Sequence, residues 1–431
     1  MVLMKEIFLI SKKEGMRNNM LLKSIRKKVL FGLFKLFPLK TDTVVFKSFE
    51  GQYNDNPKYI SEKLHEIRPD IKIVWGITKK SSGSDIPLYV KKCDINSVAF
   101  SKISATAIVV IDNMSGMQGI KGKKYIRILD YFIKRRNQLN LSTWHGTPLK
   151  KIGCDIPSYN ISNYQSSTTY ITAGNKYSYD IFKHAFHGID IVKYGAARND
   201  ILVNGGIDTN AIKRKLNLPV EKKILLYAPT FRENEYDSGI SQIKSIDLDK
   251  MFEMLGKRFG GEWVIVLRVH HRVLMKLRSE CGEVVDNKIV YDGNAYDDMA
   301  EYLLCADALL TDYSSSMFDY MLTGKPCFLY AHDRDRYVND ERGVYMGIDK
   351  LPYPFADSVK QLYDNVAEYD SALTNMKEKE FLDKIGNADD GQASLRVVKD
   401  ILYFIDETKK GIKAKTVKKN IISGNHSMIE R

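Results

Sequence analysis

Val264-Ile265-Val266-Leu267-Arg268-Val269-His270-His271 is a short apolar run, rich in β-branched residues, that ends in a guanidinium and two imidazoles. An apolar run of this length that does not alternate with polar residues is the pattern of a strand buried on both faces. Such strands belong to parallel sheets covered by helices on both sides. The same unit recurs along the chain. Strands are expected at 43–49, 71–78, 107–111, 139–143, 170–172 and 191–194, and a second series at 223–228, 263–267, 288–291, 308–310 and 327–330. Helical patterns intervene at 58–67, 96–103, 248–258, 297–305 and 316–322. Short apolar strands alternating with helices predict an α/β protein with parallel sheets. The two series part near residues 200–222, where Gly205-Gly206 and the polar stretch from Asn217 to Lys223 suit a hinge. Two Rossmann-like domains facing a cleft are therefore expected, over 42–205 and 206–408. Neither a GxGxxG fingerprint nor a GxxxxGK[ST] loop is present, which speaks against dehydrogenases and P-loop NTPases.

A chain of 431 residues is long enough for two to three domains, and 44% apolar with 28% charged residues is the balance of a folded, soluble protein. The five cysteines are scattered and form no CxxC pair, which argues against a disulfide framework or a structural zinc site and suits a reducing cytoplasm. The net charge of +13 is concentrated at the ends: residues 1–40 hold ten Lys and Arg against two acidic residues, and residues 409–431 hold seven against one. The near-neutral body and the lack of a nucleic-acid-binding motif argue against nucleic acid as a partner. Between Met20 and Phe37, Leu22, Ile25, Val29, Leu33 and Leu36 share one helical face, with Lys23, Lys27, Lys28 and Lys35 opposite. That is the pattern of an interfacial amphipathic helix on an anionic membrane, although a core-packed helix of the first domain would show it too. The apolar run from Val29 to Phe34 is too short to span a bilayer, and the charges within residues 1–16 do not suit a signal peptide. Residues 1–41 are thus expected to be a basic membrane-associating segment, and 409–431 a basic flexible tail.

Polar residues at the carboxyl ends of such strands face the ligand crevice of an open α/β sheet. The first candidate is His145, in Trp144-His145-Gly146-Thr147-Pro148-Leu149-Lys150, because imidazole titrates where a general base is needed. A buried, hydrogen-bonded structural histidine would fit the same position. In the second series, Tyr227-Ala228-Pro229-Thr230-Phe231-Arg232 delivers a hydroxyl and a fixed cation suited to phosphate oxygens. Arg268 and His270 would share a face if their strand persists, while His270 and His271 diverge and have no HExxH partner, so no metal is expected there. Thr311-Asp312-Tyr313-Ser314-Ser315-Ser316 runs from a strand into a helix whose free N–H groups would welcome phosphate, with Asp319 a turn further in. Asp333-Arg334-Asp335 spells DxD but lies beyond these motifs and reads as a loop charge pattern.

Taken in order, Trp144–Lys150, Gly195-Ala196-Ala197-Arg198-Asn199-Asp200, Tyr227–Arg232, Arg268–His270 and Thr311–Ser315 resemble the CDP-glycerol glycerophosphotransferase family, the teichoic-acid primases and polymerases of bacteria. The resemblance covers roughly residues 43–405. It implies a GT-B-like fold, a donor nucleotide held mainly by the second domain, and a peripheral protein at the cytoplasmic face of the membrane. It also implies essential roles for His145 and His270. Lys150, Arg198, Thr230, Arg232, Arg268, Asp312, Ser314, Ser315 and Asp319 become candidate substrate contacts. The family pattern usually has Pro where this chain has His271 and Ala197, which touches loop geometry and not a reactive group. The implied reaction moves a polyol phosphate, glycerol phosphate first, from a CDP-polyol donor to a hydroxyl of a polyprenyl-diphosphate-linked saccharide or polymer acceptor, with no cofactor. A GT-B glycosyltransferase using a nucleotide sugar, or a non-catalytic membrane-bound member, are the alternatives.

Overall fold

The computed structural model describes residues 32–78, 81, 85–113, 134–157, 159–230, 243–269, 273, 289–332 and 343–425. Two parallel sheets organise them. The first contains β1 (Lys40–Lys47), β2 (Lys72–Ile77), β3 (Lys91–Asp94), β4 (Ala107–Asp112), β5 (Leu139–Ser142), β6 (Tyr170–Ala173) and β7 (Asp190–Lys193), in the order β3-β2-β1-β4-β5-β6-β7. The second contains β8 (Lys223–Tyr227), β9 (Trp263–Leu267), β10 (Val290–Asp292), β11 (Ala308–Thr311), β12 (Cys327–Tyr330) and β13 (Phe355–Ala356), in the order β10-β9-β8-β11-β12-β13. Every pairing between these strands is parallel, for example Val45 beside Val74 on one side and Val110 on the other. The central strands are buried along their whole length, as in β4, β9 and β11.

The order of each sheet reverses once, between β1 and β4 and between β8 and β11. In doubly wound sheets the ligand crevice lies outside the carboxyl ends of the strands at this switch. The residues placed there are Ser48 and Asn113 in the first unit, and Ala228 and Asp312 in the second.

Helices cover both faces: α1 (Asp55–Ile67), α2 (Val98–Thr106), α3 (Lys176–Ala185), α4 (Thr209–Lys215), α5 (Leu248–Phe259), α6 (Met299–Cys305) and α7 (Ser316–Tyr320). Most of their starts, those of α1 and α7 excepted, are written in short polar side chains that accept from free backbone donors of the first turn. Ser97 accepts from Phe100 N–H, Asn175 from Ser178 N–H, and Asp247 from Lys250 N–H. After β13 come α8 (Val359–Ala367), α9 (Ser371–Ile385), α10 (Ala393–Lys409) and α11 (Ala414–Ile422).

Two expectations are corrected here. The second unit does not run to residue 408, because α10 crosses back and packs Val397, Val398, Ile401, Phe404 and Ile405 into the core of the first sheet. The segment from residue 409 is not a flexible tail as far as residue 422: α11 buries Ala414, Val417 and Ile421 in the same core. Polar contacts fix the crossing. Asp200 accepts from the N–H groups of Ala393 and Ser394 at 2.9 and 2.8 Å, satisfying the first donors of α10, and Tyr170 OH donates to Asp400 at 2.6 Å. The expected amphipathic helix lies outside the described residues except for its end, where Leu33, Leu36 and Phe37 are exposed. Among the described residues no helix is long and apolar enough to cross a membrane.

Candidate active site

His145 stands just beyond β5, where the two units meet. Trp144 takes a left-handed backbone conformation (φ 53°), and its indole packs among Phe182 and Phe186 while lying 4.3 Å from the His145 ring. The apolar cluster therefore anchors the turn that aims the imidazole. Gly146 follows at φ 151°, and a Cβ there would come within 2.7 Å of the Ser315 hydroxyl of the second unit. Glycine is what allows the first unit's histidine turn to touch the second unit's serine loop.

Among the described residues the half-buried imidazole has one hydrogen bond, between Nδ1 and the Asn113 carbonyl at 2.8 Å. A carbonyl can only accept, so the neutral ring carries its proton on Nδ1 and leaves a lone pair on Nε2. Burial pushes the His145 pKa below the ordinary histidine value; the bond to Asn113 and the charge of Asp55 oppose that, and Arg198 adds to it. An imidazole that is neutral at pH 7, with no partner for Nε2 among the described residues, has the chemistry a general base needs.

Behind the histidine lies a polar chain that the sequence motifs did not announce. Asn113 donates its amide to Asp55 at 2.5 Å and to Ser48 at 2.9 Å. Asp55 accepts from Arg198 at 2.9 Å, and Arg198 makes a two-pronged pair with Asp319, both bonds 3.0 Å. Burial opposes the Arg198 charge, but Asp319 and Asp55 hold its pKa well above the usual arginine range. Asn56 donates to the carbonyls of Thr143 and Trp144 and accepts from Arg198 N–H.

The expected contacts separate on inspection. Two cavities meet at His145. The larger, about 440 Å³, is walled by the 144–159 segment of the first unit, including Lys150, and by Thr230, Ser314 and Ser315 of the second. The smaller, about 300 Å³, is lined by Arg198, Arg268, Ser314, Ser315 and Asp319 among others. Asp312 is instead a buried organiser: it accepts from Thr230 N–H at 2.8 Å and from Tyr313 N–H at 2.5 Å, and is fully buried under the loop. It lines neither cavity, and its carboxylate ties the two second-unit loops together. Arg268 reaches the smaller cavity, yet it also donates to the carbonyls of Gly293, Tyr296 and Asp297 at 2.6, 2.8 and 2.7 Å, so much of its hydrogen-bonding capacity holds the 293–297 loop. Asp319 is not a free carboxylate in the cleft, being taken by Arg198 and by Asn199 at 3.1 Å. The helix after the serines is only five residues long, and Ser314 shares a hydrogen bond with Ser316 at 2.9 Å. Arg232, His270, His271 and Asp333–Asp335 lie outside the described residues.

Beneath the smaller cavity the two units are joined by charge. Lys58 of α1 places its ammonium 2.6 Å from Asp298 and 2.5 Å from Glu301, while Lys215 of α4 also bonds Glu301. Burial works against the Lys58 charge, but Asp298, Tyr59, Glu62 and Glu301 hold its pKa well above the lysine norm. Sequence reading missed Lys58, Asp55, Asn56 and Asn113. The signal for two of them was the polar string Asn54-Asp55-Asn56-Pro57 at a helix start, which is indistinguishable from an ordinary turn.

Comparison with known proteins agrees with this geometry. The family described as CDP-Glycerol:Poly(glycerophosphate) glycerophosphotransferase matches residues 29–403. The teichoic acid glycerol-phosphate transferase of Staphylococcus aureus is 32% identical over 413 residues, covering 89% of this chain and 100% of that protein. The teichoic acid poly(glycerol phosphate) polymerase of Staphylococcus epidermidis is 32% identical over 389 residues; the match takes in 85% of this chain but only 51% of that protein. The chain thus spans about half the length of that polymerase. Among solved structures, a variant of the wall teichoic acid polymerase TagF soaked with CDPG superposes with a TM-score of 0.73 at 30% identity, covering 92% of this chain and 97% of that one. The parallel two-sheet architecture, the histidine turn at its cleft and these matches lead to one conclusion: the chain belongs to the CDP-glycerol:poly(glycerophosphate) glycerophosphotransferase family.

Proposed function

We propose that this chain transfers glycerol phosphate from CDP-glycerol to a hydroxyl of a polyprenyl-diphosphate-linked saccharide or growing polymer and releases CMP. The observation that carries this reading is His145, which lines two cavities at once, one walled chiefly by second-unit loops and one chiefly by the 144–159 segment, and whose Nε2 has no partner among the described residues. The smaller cavity takes the CDP-glycerol diphosphate and the larger one the acceptor. The acceptor oxygen attacks the phosphorus that carries glycerol, the bond from that phosphorus to the CMP oxygen breaks in line, and the hydroxyl proton passes to Nε2. Displacement of this kind is mostly positioning and neutralisation of charge. Thr230, Ser314 and Ser315 supply donors for phosphate oxygens, Arg268 and Lys150 supply cations, and Arg232 and His270 complete the set on the strength of the family resemblance.

The test is CMP release from CDP-glycerol and from CDP-ribitol, each with a lipid-linked acceptor. Release from CDP-glycerol at a kcat/KM at least about tenfold above that from CDP-ribitol is expected, a margin of about 1.4 kcal/mol in transition-state binding. Release of UDP from a UDP-sugar under the same conditions, with none of CMP, would replace this reading by a glycosyltransferase.

The same proposal sets the chain on the cytoplasmic face of an anionic membrane through residues 1–41. In support, exposed Leu33, Leu36 and Phe37 are bordered by basic groups: the Lys102 ammonium lies 4.7 Å from the Phe37 ring, Arg135 donates to the Phe37 carbonyl at 2.8 Å, and Lys418 donates to the Arg136 carbonyl at 3.0 Å. Basic groups near anionic lipid contribute about 1 kcal/mol each. Sedimentation with vesicles should show binding that needs anionic lipid, weakens with salt and falls about tenfold or more when Leu33, Leu36 and Phe37 are changed to serine. Equal pelleting of wild type and triple variant would remove these residues from the proposal.

A further inference from the structure

The geometry points to Asp55 as the positioning carboxylate of His145, acting through Asn113, with Arg198 making that positioning depend on Asp319 of the opposite unit. This rests on the reading of His145 as the base, and adds to it how the base is held and what assembles it.

Asn113 turns its carbonyl to Nδ1 of His145 at 2.8 Å and its side-chain amide to Asp55 at 2.5 Å. The carboxylate requires the NH2 group to face it, so the orientation of the amide is fixed chemically. Its oxygen finds no hydrogen-bond partner among the described residues, which leaves the bonds from its NH2 group to Asp55 and Ser48 to orient the side chain. Because side chain and carbonyl belong to one residue, pinning the first fixes the second, and with it the tautomer and aim of the imidazole. The partners that orient a metal-bound histidine alter activity by about 10–100-fold when removed, and the same scale is expected where a carboxylate orients a histidine through an intervening asparagine.

Asp55 is held in a conformation that needs a reason. Its φ is 58°, in the left-handed region that non-glycine residues rarely adopt, and such outliers persist where the surroundings over-determine them. The surroundings do so here: one carboxylate oxygen accepts from Asn56 N–H at 2.8 Å and from Arg198 at 2.9 Å, the other from Asn113. Arg198 spends its remaining fork on Asp319, which belongs to α7 of the second unit. The chain Asp319–Arg198–Asp55–Asn113–His145 therefore crosses the cleft. Separating the units would free Arg198 from Asp319 and leave it to compete for Asp55 alone, so the base is correctly set only with the two units docked as here. The described charges facing His145 are Asp55 and Arg198, with Asp319 and Asp389 beyond the arginine.

The experiment uses the full chain and CMP release from CDP-glycerol. Asp55→Asn suits it because asparagine tolerates the left-handed conformation, so the backbone is not penalised. The variant should lose kcat by about 10–100-fold, with the KM for CDP-glycerol within about threefold. Its acid limb in kcat/KM should move to lower pH, since the lost carboxylate charge is one that favours the imidazolium. A packing defect would lower activity without moving that limb. Asp319→Asn, which leaves α1 untouched, should lower kcat in the same direction but less, and serves if Asp55→Asn does not fold. Wild-type kcat in either folded variant, or a kcat loss in Asp55→Asn with an unmoved acid limb, overturns the inference. His145→Ala run alongside separates the two levels: if it retains turnover, the base assignment falls; if it is inactive while Asp55→Asn behaves as wild type, this inference alone falls.

Discussion

Alanine in place of His145 is expected to cut CMP release by about 10²–10⁴-fold, the usual contribution of a positioned general base. The fold should survive the change. The ring is half-buried at an open cleft, makes one hydrogen bond to a carbonyl and rests on Trp144, whose own anchoring by Phe182 and Phe186 does not depend on it. The pH profile of the wild type carries the same information. A base acts when deprotonated, so kcat/KM should climb with pH through the His145 pKa and level off above it. Since burial lowers that pKa, the midpoint of the climb should lie below the ordinary histidine value. Turnover within about tenfold of wild type in His145→Ala, a loss smaller than the usual yield of a general base, would move the proton to another group.

Lys58→Ala should be the most destabilising single change at the junction of the units, at about 3–5 kcal/mol. Removing one partner of a buried ion pair leaves the other charge without compensation, and Asp298 is 1% exposed on its side chain. Glu301 keeps Lys215, and Asp298 keeps the Tyr59 hydroxyl at 2.6 Å, so the loss centres on Asp298. The sign of the pH dependence follows. In the wild type, despite burial, the Lys58 charge and hydrogen bonds hold the Asp298 pKa below the ordinary aspartate value, so its contribution is present above the unfolded pKa and fades as pH falls through the lowered one. In the variant the same carboxylate is buried without its cation, its pKa rises, and protonation relieves it. Both trends close the gap between the proteins in acid. Urea unfolding at pH 7.5 and near pH 4 checks this; a difference below about 1 kcal/mol at pH 7.5, the scale of an exposed pair, would mean that water reaches the cluster.

Much of the architecture is legible because parallel strands buried on both faces announce themselves as apolar runs. Trp263–Leu267 and Cys327–Tyr330 occupy the expected positions, and Ala107–Asp112 runs one residue further. Two strands escape. β3 reads Lys-Lys-Cys-Asp with exposed ends, since an edge strand meets water, and β13 is two residues long. α11 escapes because its lysines dominate the composition while Ala414, Val417 and Ile421, spaced three and four apart, carry the buried stripe. His145, Thr230, Ser314 and Ser315, read from their place after strands, line one cavity together. What strand ends do not reveal is whether a polar group is spent. Asp312 and Arg268 have the right chemistry at the right ends, yet bind neighbouring backbone. Asp55 and Asn113 are 58 positions apart, and only tertiary structure brings them to one hydrogen bond.

The return of the chain has a consequence for how the molecule is made. The first sheet is written before residue 194, but the core over Val44, Phe46 and Tyr170, to which α1 brings Ile60 and Leu64, is completed by α10 and α11, and the Tyr170–Asp400 bond spans 230 positions. During synthesis the early sheet must wait, with its hydrophobic face only partly covered, until the ribosome has passed residue 422. The second sheet lies wholly between residues 223 and 356, and the later helices in its cores, α8 and α9, are complete by residue 385. Domains on a ribosome ordinarily close in the order in which they emerge. Here the later unit can close first, and the earlier one is sealed afterwards by α10 and α11.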